Sequence, residues 1–235
     1  MSKNKITIII PAYNEINTMQ AIINKVVELK ILKQIIVIDD HSTDGTREVI
    51  LKNKKKINKI ILHKKNKGKG AAIKSAQKYI NGEYVIIQDA DLEYNPKDIH
   101  ILLKKIEKEK VKAIYGSRVL NNEKNKKAQN FSHSIRIIGN IFLTKLSNII
   151  NKQNLTDAHT CYKLFESNLF KSIQLNENDF SFCPEITTKL SILNEKILEV
   201  PINYSGRTYN QGKKIKASDG LKAIYVLLKY RYFKC

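Results

Sequence analysis

Three carboxylates stand close together in QDADLEYNP, residues 88–96: Asp89, Asp91 and Glu93. They follow an apolar run at 84–87 that reads as a buried strand. Acids crowded at a strand end repel one another unless a cation sits among them. Hard oxygen ligands suit Mg2+ or Mn2+, which keep coordination positions for substrate phosphates and water. Such an ion would stabilise a diphosphate as a leaving group. The plainer chemistry is a helix start at Asn95-Pro96, where acids complement the positive helix end. Asp39 and Asp40 also close an apolar run, ahead of HSTDGT, where a carboxylate can accept from a ribose or base. Asp44-Gly45 as a turn, with Ser42 or Thr43 as a cap, is the plainer reading there. In PAYNE, residues 11–15, Pro11 starts a turn, Tyr13 can stack on a base and Glu15 can hydrogen-bond to it or simply cap a helix.

Cationic groups lie at comparable places. Gly116-Ser117-Arg118 puts a guanidinium at a strand end, where its planar fork suits phosphate. Arg207 and Lys213 sit in a late loop, GRTYNQGKK. NKGKGAA, residues 66–72, lacks the spacing of a phosphate-binding P-loop, so Gly68 and Gly70 are read as permitting close packing at a helix start. The whole chain carries a formal net charge of +20, from 42 Lys and Arg against 22 Asp and Glu. That excess attracts polyanions, phosphorylated substrates or an anionic membrane face. It also fits a solvated surface in a chain rich in Lys, Asn and Ile. The basic residues are dispersed, and no RNP, zinc-finger or helix-turn-helix pattern appears, which argues against nucleic acid as the partner. Three cysteines, far apart in sequence, argue against a disulfide framework or a Cys-type zinc site.

The elements that must position these groups follow from periodicity. Continuous β-branched runs predict strands at 6–10, 34–38, 59–63, 84–88 and 113–115, with a later one at 197–204. Helical spacing falls at 17–30, 42–52, 69–80, 96–110, 131–150, 184–193 and 221–232. Alternating strands and helices predict an α/β fold: a Rossmann-like, mostly parallel sheet with helices on both faces. Ligands of such sheets sit beyond the carboxyl ends of the strands, where the groups above fall. Residues 121–130 and 205–216 read as loops. Residues 157–165 read as a structured piece of undefined type. The expected layout is a catalytic domain at 1–216 and a C-terminal amphipathic helical extension at 217–235. No signal-peptide layout opens the sequence and no run reaches the ~20 apolar residues of a spanning helix, so a cytoplasmic protein is expected.

Seven ordered motifs carry a resemblance: IPAYNE, VIDDHSTDGT, QDADLE, GSR, TDAHTCYK, FCPEIT and EVPINY followed by Arg and GKK. The chain resembles family 2 glycosyltransferases of GT-A fold, a nucleotide-diphospho-sugar transferase fold, over residues 6 to 222. The branch it is most similar to is that of dolichol-phosphate mannosyltransferase and the polyprenyl-phosphate glycosyltransferases. The resemblance implies nucleotide-sugar binding by Pro11, Tyr13, Glu15, Ile38, Asp40, Asp89, Ala90, Arg118, Arg207 and Lys213. It implies a metal and diphosphate pair in Asp89 and Asp91. Glu93 stands where the mannosyltransferases commonly carry Gln, and is included here as a third metal ligand. Asp157 matches an acceptor-side acid.

The implied reaction is inverting transfer of a sugar, mannose from GDP-mannose in the first instance, to a polyprenyl phosphate, with Asp91, Asp157 and Arg118 as catalytic groups. A hydroxyl acceptor, as in surface polysaccharide or glycolipid synthesis, needs a general base, and Asp157 is the candidate. A lipid phosphate is already anionic and needs positive charge instead, from Arg118, Arg207 and Lys213, with Asp157 then orienting the acceptor or stabilising the oxocarbenium-like state. His159 is given a structural role. A non-catalytic nucleotide- or nucleic-acid-binding protein is the alternative of another class. The helices at 131–150 and 221–232 are amphipathic. The first, with Ile135, Ile138, Phe142, Leu146 and Ile149 on one side, is expected to line an apolar acceptor groove. The second either packs on the core or lies in a membrane interface. Peripheral contact with the cytoplasmic membrane face and a membrane-protein partner complete the expectations.

Overall fold

The computed structural model describes residues 4–120, 131–207 and 217–233. Strands β1 (Ile6–Ala12), β2 (Lys33–Asp39), β3 (Lys59–Leu62), β4 (Tyr84–Ile87), β5 (Ala113–Ser117), β6 (Lys163–Glu166) and β7 (Ile197–Pro201) form one sheet. Its order is β3-β2-β1-β4-β6-β5-β7. β6 runs antiparallel to both its neighbours, β4 and β5, while the other paired strands are parallel. Six strands therefore point one way, and their carboxyl ends line one edge.

The helices are α1 (Ile16–Val27), α2 (Thr46–Lys52), α3 (Lys69–Gln77), α4 (Ile99–Glu109), α5 (Phe131–Asn151), α6 (Ser167–Ser172), α7 (Phe182–Ile192) and α8 (Ala217–Tyr232). The strands are continuous apolar runs because both sheet faces are covered. In β1, Ile6, Ile8 and Ile10 enter a core with α1, α2 and α4, while Ile9 enters a second core with α3, α6 and α7. Each fully buried Ile contributes roughly 1.5–3 kcal/mol relative to exposure. The second core sets α3 close to the sheet, which its small Ala72 and Ala76 permit.

Two close approaches need glycine. Gly68 has φ +91°, and a Cβ there would lie 2.5 Å from the Asn178 carbonyl oxygen. A Cβ on Gly70 would lie 2.4 Å from the carbonyl oxygen of Glu177. The two glycines thus seat the start of α3 against residues 177–179. At α2 the helix begins at Thr46, later than expected. Asp44, rather than Ser42 or Thr43, accepts from the Thr46 amide at 3.0 Å. α8 packs on α7 and α5, burying Val226, Leu227 and Tyr230.

Candidate active site

The expected site residues in the described segments gather at the carboxyl edge of the sheet or just beneath it. β1, β2, β4, β5 and β7 deliver their ends there, and reversed β6 delivers the segment that precedes it. At the end of β4, Asp89 accepts a short hydrogen bond from the Lys69 ammonium at the start of α3. Lys69 also reaches Cys161 Sγ at 3.0 Å. Burial opposes charge on Lys69, but the Asp89 carboxylate outweighs it and holds the pKa well above its ordinary value. Lys69 is a functional candidate that motif reading passed over, because its neighbours lack P-loop spacing and its partner lies 20 residues away.

Asp91 lies beside Asp89, and its carboxyl is pushed up to about 7. Burial is the main cause, followed by the charges of Asp89 and Glu93. Lys69 meets part of this negative field at Asp89, and the oxygen donors of Asp89 and Asp91 are of the kind that suits a hard divalent cation. Glu93 does not join them. Its Oε2 accepts from Tyr204 Oη at 2.7 Å and its Oε1 from the Arg207 amide at 2.6 Å. Among the described residues no three acid, His or Cys side chains converge into a metal-holding group. Glu93, expected as a third ligand, clasps the segment after β7 in this structure.

That clasp positions Arg207. Its Nη2 donates to Glu15 Oε2 at 2.6 Å and its Nε to the Asp91 carbonyl at 3.0 Å. Arg207 therefore ties the end of β1 to the acid pair, with its side chain 17% exposed. Pro11 and Tyr13 lie at the same edge, and Tyr13 is exposed. Ala90 is buried. Lys213 lies outside the described residues.

Two residues expected on the donor side, Ile38 and Asp40, are engaged within the protein. Ile38 is fully buried in the core on the α3 side. Asp40 turns inward. Its Oδ1 accepts from the Lys67 amide at 2.9 Å and meets His63 Nδ1 at 2.6 Å, and its Oδ2 accepts from the Gly68 amide at 2.7 Å. Both oxygens hold the turn that presents Lys69. Asp39 likewise binds Arg47 Nε at 2.6 Å.

On the opposite side, Arg118 and Asp157 form a forked pair. Arg118 Nε donates to Asp157 Oδ2 at 2.6 Å and Nη2 to Oδ1 at 2.7 Å. The Arg118 amide donates to Oδ2 at 3.1 Å and Asn140 of α5 donates to Oδ1 at 3.1 Å. Asp157 is fully buried, whereas the Arg118 side chain is 21% exposed. Burial pushes the Asp157 carboxyl up, but Arg118 and these hydrogen bonds bring it below the usual carboxylate range. Glu199 of β7 fastens the same turn through the Thr156 and Asp157 amides at 2.7 and 2.9 Å. A carboxylate so held is a weak base, so the fork leaves Asp157 ionised beside Arg118. His159 is also no base at neutral pH: burial, then Lys163, brings it down to about 4. Sequence reading also missed Lys163. It is fully buried, donates to the Ala158 carbonyl at 2.9 Å and lies 3.5 Å from the Tyr115 ring centroid.

A family model described as glycosyl transferase family 2 matches residues 7–174. The chain belongs to glycosyltransferase family 2. It is a glycosyltransferase, and its similarities fall in the polyprenyl-phosphate branch that the motifs resemble. It is 27% identical, over 97% of its length and 73% of the relative's, to a dolichyl-phosphate beta-glucosyltransferase of Trichomonas vaginalis, ALG5D. It is 28% identical to the dolichol-phosphate mannosyltransferase of Pyrococcus furiosus, over 96% of this chain and 64% of that one. Among solved structures, glucosyl-3-phosphoglycerate synthase from Mycobacterium tuberculosis, in complex with Mn2+, UDP and glucosyl-3-phosphoglycerate, superposes with TM-score 0.70 at 14% identity. That match covers 97% of this chain and 80% of the synthase, and places the GT-A fold expected from the motifs on this family 2 chain.

Proposed function

We propose that this family 2 enzyme transfers a hexose from a nucleotide sugar to a polyprenyl phosphate, with inversion at the sugar carbon. The observation that carries the reading is the forked Arg118–Asp157 pair. The acid that would serve a hydroxyl acceptor as base is buried and held ionised by a guanidinium. An acceptor that needs no proton removed suits such a site, and a phosphate monoester is one: its second pKa is about 6, so it is largely dianionic at neutral pH. The named relatives act on dolichyl phosphate, which supports the same acceptor class.

In this reading Asp89 and Asp91 hold a divalent cation, Mg2+ or Mn2+, against the donor diphosphate. When bound, the ion supplies charge stabilisation to the departing nucleoside diphosphate. Lys69 and Arg207 flank the acid pair and add fixed positive charge where the leaving group develops its own negative charge. Arg118, with one edge in the Asp157 fork and its side chain partly exposed, places cationic charge on the acceptor side. The attacking oxygen is then a phosphate oxygen, and no proton needs to be taken from it.

The sugar is mannose from GDP-mannose in the first arm of the test and glucose in the second, since the relatives named above divide between these two sugars. A lipid acceptor also brings the enzyme to the cytoplasmic membrane face, alone or with a membrane-protein partner. The test is a donor screen with the full chain, Mn2+ or Mg2+, and undecaprenyl or dolichyl phosphate, reading labelled lipid product. Product with one nucleotide hexose is expected. Transfer only to a hydroxyl acceptor, with every polyprenyl phosphate silent, overturns the reading.

A further inference from the structure

A mostly buried polar chain, Ser75 to His63 to Asp40, stands behind the turn that presents Lys69. His63 follows the end of β3, with its side chain 5% exposed. Its ring bridges two elements. Nδ1 lies 2.6 Å from Asp40 Oδ1, at the end of β2, and Nε2 lies 2.9 Å from Ser75 Oγ, in α3. Asp40 also accepts from the Lys67 and Gly68 amides. A carboxylate serving two amides acts as acceptor toward the ring as well. Nδ1 therefore carries the proton and donates, and Nε2 is left to accept from a hydroxyl. Ser75 supplies that hydroxyl and shares it with the Ala71 carbonyl, at 3.0 Å.

The chain of contacts leads to Lys69. Residues 67–68 form the turn into α3, and the first residue of that helix is Lys69, whose ammonium pairs with Asp89. On one side Gly68 and Gly70 pack the start of the helix closely against the backbone of 177–179. On the other the turn hangs on Asp40. A buried imidazole is costly unless its nitrogens are satisfied. Here both are, one by the carboxylate that holds the turn and one by the helix that the turn begins. The ring thus ties that carboxylate to that helix. Precision matters at this point, because misplacing a catalytic group by about 1 Å can cost about 100-fold in rate.

We propose that His63 is a positioning residue for the donor side: through Asp40 it sets the 67–68 turn, and through that turn the reach of Lys69 to Asp89. That role rests on the reading of Lys69 as fixed positive charge beside the leaving group. The test compares two replacements of equal shape, His63→Asn and His63→Leu, which differ in whether an N–H remains for Asp40. Each is made alone and together with Lys69→Met. Affinity for Mn2+ alone is measured by calorimetry, beside kcat and donor KM with a polyprenyl phosphate. His63→Leu should lower kcat about tenfold and tighten Mn2+ about threefold, as loss of the Lys69 ammonium does. His63→Asn should stay within about twofold of wild type in both. With Lys69→Met in place, His63→Leu should change either quantity by less than about twofold. Equal effects of Leu and Asn, or a His63→Leu effect undiminished beside Lys69→Met, overturns the proposal, because the ring would then act through general stability. Wild type that takes up no Mn2+ also overturns it, since the Lys69–Asp89 contact would then compete with nothing. Should His63→Leu not fold, Ser75→Ala repeats the comparison from the far side of the ring. Mn2+ should then tighten and kcat fall, each about twofold to threefold and only while Lys69 is present; no change overturns the proposal. Calorimetry with Mn2+ needs no acceptor, so a silent polyprenyl phosphate would sink the acceptor reading and leave His63 to be decided by Mn2+ affinity.

Discussion

Asp157→Asn separates a structural role for the acceptor-side acid from a catalytic one. The substitution leaves Arg118 beside a neutral amide in a site where Asp157 was fully buried. Breaking a buried pair by removing one partner costs about 3–5 kcal/mol. Arg118 keeps 21% of its side chain exposed and can recover part of its hydration, so the lower end, about 3 kcal/mol, is expected. For a chain of this size that is a fall in Tm of about 6–12 °C. The companion variant, Arg118→Met with Asp157→Leu, removes both charges and should return part of the loss, the rest staying with the Arg118 amide and Asn140 donors that lose their acceptor. The pH dependence has a definite sign. The Asp157 carboxyl lies below its unfolded value of ~3.9, so the pair's contribution is complete at neutral pH and vanishes as acid carries the pH down through the folded value. Differential scanning calorimetry of the three proteins, with turnover on a polyprenyl phosphate measured well below each Tm, reads both quantities. Turnover of Asp157→Asn should stay within about tenfold of wild type, because general-base catalysis, worth ~100- to 10,000-fold, is not what is removed. An unchanged Tm together with a turnover loss above ~1,000-fold would make Asp157 the base and refute the reasoning.

Three further outcomes are expected. A cation entering at Asp91 must displace a proton whose pKa is about 7, so Mn2+ affinity with nucleotide present should fall about tenfold per pH unit below that value and level off above it. Calorimetry that finds no pH slope between about 5 and 7 contradicts the assignment. Lys69→Met removes the ammonium that competes for Asp89, so Mn2+ alone should bind several-fold more tightly, at least about threefold, while turnover drops at least about tenfold; tighter metal with unimpaired turnover would show that Lys69 serves only as a place-holder. Glu93→Ala frees the Tyr204 and Arg207 segment, so donor KM should rise about tenfold while metal affinity stays within about threefold. A collapse of metal affinity would restore Glu93 as a ligand.

Much of this was legible in the chain itself, for local reasons. Runs such as 6–10 and 34–38 are short, rich in β-branched residues and bounded by turn signals, which favours strands covered on both faces, and the acids and Arg118 follow such runs directly. What stayed hidden was decided by partners far away in sequence. Strand β6 has four residues and starts with Lys163, whose burial makes sense only with the Ala158 carbonyl and the Tyr115 ring in place. Asp40 and Ile38 fall at family positions for a nucleotide, yet residues 67–68 and the α3 core take up their side chains. Periodicity revealed a stripe on α5 but not which side of it would face the domain. Only the position of Asn140 and Thr144 answers that.

The reversal of β6 also orders the birth of the molecule. Strands β1 to β4 and their helices draw on residues before 110, so the donor half can assemble while the rest of the chain is still being synthesised. β5 then has no place beside β4, because the slot between them belongs to a strand not yet made. Until residue 166 has emerged, β4 presents an open edge of Tyr84, Val85, Ile86 and Ile87, an invitation to mispair with another nascent chain. The acceptor half therefore closes last, as a zipper drawn in from a later part of the message. Truncated chains ending near residue 120 should aggregate, whereas chains carried past β7 should not.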